Sequence, residues 1–126
     1  GRLPSTWPTD DHDEAIVATM PHDGRLIYAE GRDVGYRGWL RHGRQPAFPF
    51  GYGLGYTSWS WAEVVVDMHA DGMTVDVGLT NVGPRAGAEV VQVYLSRPGS
   101  DAPVRWLAGF ARVHAEPGQT VTARVD

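Results

Sequence analysis

The sequence predicts a mainly β chain whose second half folds as a two-sheet sandwich, and three observations carry that prediction. From about Thr57 onward apolar and polar residues alternate in short runs; Met73, Val75, Val77 and Leu79 set against Thr74, Asp76, Gly78 and Thr80 are the clearest case. Turn signals punctuate the runs, among them Asp71-Gly72, Gly83-Pro84 and Pro117-Gly118. No helical periodicity lies between them, and short strands at this spacing are the pattern of an immunoglobulin-like sandwich.

Each element follows from its residues. Trp59 to Met68 is β-rich, with Trp61, Val64, Val65 and Val66, and His69 to Gly72 turns the chain back as a hairpin. Met73 to Thr80 is a half-buried strand, and Asn81 to Gly87 a turn. Glu89 to Leu95 sets Val91, Val93 and Leu95 on one face and Val90, Gln92 and Tyr94 on the other. Arg97 to Pro103 is a loop. Val104 to Val113 is a strand with a bulge expected at Gly109. Glu116 to Gln119 turns into a last alternating run through Val121, Ala123 and Val125. These make about five strands, whereas an immunoglobulin-like sandwich has about seven. Two further strands are therefore expected beyond Asp126, and the truncated sandwich is expected to expose a sheet edge and part of its apolar inner face.

The first half reads differently. Pro4 and Pro8 bar a helix or a central strand around Leu3 to Trp7. Thr9 to Glu14 is a polar, acidic turn, and Ala15 to Met20 an apolar run that Pro21 ends. His22-Asp23-Gly24-Arg25 is a turn, and Leu26 to Tyr28 is read as a short strand. Between Glu30 and Phe50 stand Gly31, Gly35, Gly38, Gly43, Pro46 and Pro49. A free-standing domain rarely spends so much chain on an irregular path, which buries little and costs entropy. Residues 1–56 are accordingly read as an irregular strap lying on another domain, and residues 57–126 as the sandwich. Gly1 stands where an initiator Met would, so the chain is expected to begin inside a longer one.

Composition narrows the function. The net charge is −4 and the eleven basic residues are all Arg, scattered rather than clustered, so neither nucleic acid nor an anionic membrane is an expected partner. No apolar run is long enough to span a bilayer. The absence of Cys excludes disulfides and thiolate metal sites. The His residues are dispersed and Asp10 to Glu14 lacks the spacing of a calcium loop, so no metal and no cofactor are expected. Gly51-x-Gly53-x-Gly55 leads into Tyr56-Thr57-Ser58-Trp59, a strand former, and so is not a phosphate loop.

Several strings are specific. Gly1-Arg2-Leu3-Pro4-x-Thr6-Trp7-Pro8, Tyr28-x-Glu30-Gly31-x-x-Val34-Gly35-Tyr36-Arg37 and Phe48-Pro49-Phe50-Gly51-Tyr52-Gly53-Leu54-Gly55-Tyr56-Thr57 occur in that order. Thr80-Asn81-x-Gly83-x-x-Ala86-Gly87-Ala88-Glu89-Val90-Val91-Gln92-Val93-Tyr94 follows, then Leu107-x-Gly109-Phe110-x-x-Val113 with Pro117-Gly118-Gln119. Together they resemble the C-terminal part of glycoside hydrolase family 3 enzymes, the β-glucosidases, β-xylosidases and relatives. Gly55 departs from the usual Ser, and Gly38-Trp39 from two aromatics. The resemblance implies that residues 1–56 are the tail of an α/β sandwich domain plus an interdomain linker, and that residues 57–126 are a fibronectin type III-like domain.

It also implies a retaining parent enzyme with two carboxylates about 5 Å apart, acting on an oligo- or aryl-glycoside. In that family both carboxylates lie upstream of the region matched here, so no residue of this chain inherits a catalytic role. The expected partners are the upstream catalytic domains of the same polypeptide. The candidate contacts with them, or with the substrate cleft, are Glu30, Tyr36, Arg37, Trp39, Phe50, Tyr52 and Tyr56. Glu30 and Asp33 are read as structural carboxylates, capping loop N–H groups or pairing with Arg32 or Arg37. The dense aromatics are read as interface rather than sugar contacts. Two other classes stay open from the residues alone, an independent carbohydrate-binding module and a protein-interaction module.

Overall fold

The computed structural model describes residues 1–10, 20–99 and 102–126. The acidic residues after Asp10, the apolar run before Met20 and the middle of the Arg97 to Pro103 loop lie outside the described residues. The chain divides into two compact units, one built from Leu54–Leu95 and Leu107–Asp126 with Gly1, the other from Arg2–Gly53 and Ser96–Trp106.

The first unit holds five strands: β1 (Trp59–His69), β2 (Gly72–Asn81), β3 (Gly87–Leu95), β4 (Trp106–Ala115, from Leu107 on) and β5 (Thr120–Val125). They form a three-stranded sheet in the order β1-β2-β5 and a two-stranded sheet of β3 and β4. The five strands expected within residues 57–126 are present, with β4 starting and ending two residues later than the alternation suggested.

Register explains the pattern. β1 and β2 pair antiparallel with His69 opposite Gly72, so the hairpin loop is Ala70-Asp71. The register slips between Trp61 and Val64, and the extra chain bulges over Gly78, where a Cβ would press on that of Ala62. Val75, Val77 and Leu79 face inward opposite Val125, Ala123 and Val121 of β5. Val75, Val77, Leu79 and Ala123 make a buried cluster with Val91 of β3, against which Trp59, Met73, Val93, Ala111, Val113 and Val121 pack. The outward residues of β2 are polar, as period-two alternation requires.

Asn81 ends β2 and is fully buried. Its Oδ1 accepts from the Thr57 hydroxyl at 2.6 Å and from the Gly83 N–H at 3.1 Å. Its Nδ2 donates to the carbonyls of Arg85 at 2.7 Å and Ala115 at 2.9 Å. Its own N–H and C=O pair with Gln119 and Gly118. One side chain thus ties the lead-in to β1, the β2–β3 turn, the end of β4 and the β4–β5 turn. Every polar atom of this residue, the first of the Asn81–Gly87 turn and part of the Thr80-Asn81-x-Gly83 string, is in use. Gly83 is required beside it, since a Cβ there would strike Thr57 and the Ser58 backbone.

Close packing across the two sheets accounts for Gly109. A Cβ there would meet the Cγ1 of Val125, so β4 lies against β5 through this contact. Gly109→Ala is expected to destabilise the unit by about 1–3 kcal/mol through overpacking. Adding Val125→Ala should return part of that loss in a double-mutant cycle followed by urea unfolding. Additive losses would mean that the two strands do not touch here.

In the second unit a short helix, α1 (Tyr36–Arg41), was not anticipated. Gly35 at its N-cap has φ 58°, and no side chain caps it. Gly38 is needed inside it because a Cβ would collide with the Asp33 carbonyl. Leu26 to Tyr28 is not a strand: the ladder here is a single bridge between His22 and Arg25, closed over Asp23 and Gly24, both with positive φ. Among the described residues no strand lies alongside to receive that segment.

Candidate functional site

Two of the motifs, more than forty residues apart, prove to be one element of the second unit. Leu3 and Tyr52 share a backbone bond of 2.8 Å, and the Gly51 N–H donates to Leu3 at 2.8 Å. Trp7 and Phe48 bridge antiparallel, and Arg2 Nη1 donates to the Gly53 carbonyl at 2.8 Å. The proline-rich segment therefore lies along the Phe48–Gly53 segment, and each satisfies backbone groups of the other.

The polar candidates sit in the loop ahead of α1. Asp33 Oδ2 accepts from Arg41 Nε at 2.9 Å, and Arg41 Nη2 also reaches the Ala102 carbonyl at 3.2 Å. Arg41, not Arg32 or Arg37, is thus the partner of Asp33; a helix end brings together residues that linear spacing did not. Arg37 lies over the Tyr36 ring, 6.0 Å from its centroid. Glu30 Oε2 and Asp33 Oδ1 of this loop and Arg37 Nε of α1 are buried polar atoms with no hydrogen bond.

The aromatic candidates separate. Trp39 is buried and is used inside its own unit rather than offered at the surface. Tyr36 packs on Phe50 with centroids 5.1 Å apart and planes at 31°. Tyr52 packs on Phe48 at 5.1 Å and 51°. Rings inclined to one another fit packing against irregular protein surface better than a flat sugar platform. Trp7, Phe48 and Tyr52 stay substantially exposed, and Tyr56, in the first unit, is exposed almost throughout.

The first unit offers two contrasting faces. On the solvent side of β2 and β5, Arg124 holds Asp76 in a two-pronged pair at 2.8 and 2.6 Å. The hydrogen bonds from Arg124 keep the Asp76 carboxyl below the usual carboxylate range, the wrong direction for a general acid. On the inner side an open apolar cleft of about 380 Å³ is lined by Val64 and Val66 of β1, Met73 and Val75 of β2, and Val91 and Val93 of β3. Among the described residues no three His, Asp or Glu side chains gather as a metal site would need.

Comparison with known proteins agrees with this arrangement. Residues 89–126 match the family described as Fibronectin type III-like domain. Over 98% of its length the chain is 42% identical to a β-glucosidase of Rhizobium radiobacter, and it spans only 16% of that protein. It superposes on the Kluyveromyces marxianus β-glucosidase determined with glucose with a TM-score of 0.89, at 39% identity, covering 98% of this chain and 15% of the other. For DesR, a β-glucosidase of Streptomyces venezuelae determined with D-glucose, the TM-score is 0.86 at 36% identity, covering 100% and 17%. The chain is thus similar in its last third to the fibronectin type III-like family, and over nearly its whole length to about one-sixth of proteins named β-glucosidase.

Proposed function

We propose that this chain is a non-catalytic module of a retaining, β-glucosidase-like hydrolase, bracing the catalytic domains of the same polypeptide and shaping the outer substrate cleft. Residues 57–126 are its fibronectin type III-like domain, and residues 1–56 the tail of an α/β sandwich domain with the linker that follows it. The observation that carries this reading is similarity over nearly the whole chain to about one-sixth of proteins named β-glucosidase. The mode of action is burial: the exposed aromatic residues Trp7, Phe48, Tyr52 and Tyr56 supply rigid contact area. Glu30, Tyr36, Arg37 and Phe50 contribute as further contacts of the second unit.

The test exchanges the matching segment of the Rhizobium radiobacter β-glucosidase for this chain and measures hydrolysis of p-nitrophenyl β-D-glucoside. The chimera should keep its rate constant within about tenfold, about 1.4 kcal/mol in barrier, while deletion of the segment abolishes activity. The 126-residue chain alone should release no nitrophenol. Full activity in the deletion variant would remove the bracing role. Turnover by the pure chain that Glu30→Gln lowers would remove the non-catalytic one.

A further inference from the structure

Asp-Gly occurs twice in the chain, at Asp23-Gly24 and Asp71-Gly72, and the fold treats the two differently. Gly72 is the first residue of β2 and stands opposite His69, and the pair that closes a two-residue loop exchanges both backbone hydrogen bonds. Pairing continues from there to Trp59 and Asn81, so this turn opens only if a long ladder opens with it. Asp23-Gly24 closes a single bridge, between His22 and Arg25, through bonds of 2.9 and 3.0 Å, and no strand continues it among the described residues. The Gly24 N–H donates no backbone hydrogen bond among the described residues, and nothing lies within 4 Å of the place a Cβ would take on Gly24. Asp23 is the one non-glycine residue with a positive φ, 50°, among the described residues, a conformation that crowds its Cβ. Its side chain is 89% exposed to water.

We propose that Asp23 is a modification site, at which the peptide link to Gly24 migrates spontaneously to the side-chain carboxyl and leaves an isoaspartyl residue, while Asp71 is protected from the same reaction. The Gly24 nitrogen attacks Cγ of the protonated Asp23 carboxyl. A C–N bond forms, a C–O bond breaks, and the carboxyl hydroxyl leaves with the proton of the Gly24 N–H as one water. The cyclic imide then takes up one water. Opening at the former main-chain carbonyl frees an α-carboxylate and leaves the chain running through Cβ and Cγ; opening at Cγ restores aspartate. Water is the only co-reactant, and nothing is oxidised or reduced. Three features select Asp23. Attack needs a nitrogen not held by an acceptor, which Gly24 offers and Gly72, paired with His69, does not. It needs rotation of the Asp23 backbone, which a lone exposed bridge permits and a long ladder resists. The product relieves the positive φ, because the branch that crowded the backbone has become part of it. The new α-carboxylate stands on an exposed turn, where an enzyme that methylates isoaspartyl carboxyls can reach it.

The experiment incubates the 126-residue chain for several weeks at mildly acidic pH in water enriched in heavy oxygen, once folded and once in concentrated urea. Tryptic peptides are then read by mass spectrometry. Each passage through the imide adds one heavy oxygen, and backbone fragment ions distinguish isoaspartate from aspartate. Peptide Leu3–Arg25 carries Asp23, and peptide Gln45–Arg85 carries Asp71. In urea the two sites should label at similar rates. In the folded chain Asp71 should slow by about tenfold or more, while Asp23 changes by less than about threefold. Asp23→Glu cannot close the five-membered ring and should remove both label and isoaspartate from Leu3–Arg25. Gly24→Ala puts a side chain beside the attacking nitrogen and should slow both several-fold. Equal rates at Asp23 and Asp71 in the folded chain would overturn the proposal. So would label in Leu3–Arg25 that persists in Asp23→Glu. These readouts involve no glycoside hydrolysis, so the proposal can fail while the bracing role stands.

Discussion

Asn81→Ala is expected to lower the stability of the sandwich unit by about 3–5 kcal/mol, enough to leave much of the chain unfolded at ambient temperature. The reason is what remains after the side chain is gone. The carbonyls of Arg85 and Ala115 and the N–H of Gly83 lose their partner, and so does the Thr57 hydroxyl. The bond to the Ala115 carbonyl is buried and the other three are part-buried, so rehydration is hindered and each orphan costs up to about 1–3 kcal/mol before relaxation. Asn81→Asp separates this account from a loss of volume. Its shape is unchanged, but an oxygen replaces the amide nitrogen and confronts two carbonyls. Such a carboxylate has a folded-state pKa above its unfolded value, so the variant should be unstable at neutral pH and regain stability as pH falls through that raised pKa. Urea unfolding followed by tryptophan fluorescence at several pH values measures both variants. An Ala variant that melts with the parent would show that the network is dispensable.

The sandwich was legible because its signals are local. Alternation in Met73 to Thr80 and Thr120 to Val125, and turn residues between the strands, name the strands and their inward faces without tertiary information. The short helix was not legible: it has a single turn and a half, a Gly in its middle, and an N-cap that relies on backbone conformation at Gly35. Asn81 was visible as part of a recurring string, but its burial depends on four segments meeting, which no window of sequence contains. The Asp33–Arg41 pair escaped for the same reason, since α1 must form before the two approach. The zipping of Leu3 and Trp7 onto Tyr52 and Phe48 joins motifs that sequence reading could only place in order.

Alternation says which face of a strand is apolar, but not whether anything covers it, and that distinction carries the second large prediction. Leu79 and Val66 both point inward from the same sheet. Leu79 is fully buried beneath the second sheet; Val66, on the outermost strand, is half exposed. Leu79→Ala removes atoms packed on every side and should cost about 2–5 kcal/mol, the spread reflecting how far β3 can settle into the space. Val66→Thr keeps a β-branched shape and adds a hydroxyl that water can reach, so it should change stability by about 0.5 kcal/mol or less while reducing dye binding to the cleft. Parallel urea titrations of the two variants decide it. If Val66→Thr costs as much as Leu79→Ala, β1 is covered in solution and the one-sided stacking of the sheets is wrong. If the costs differ as expected, the uncovered strip beside β3 is a property of the isolated chain.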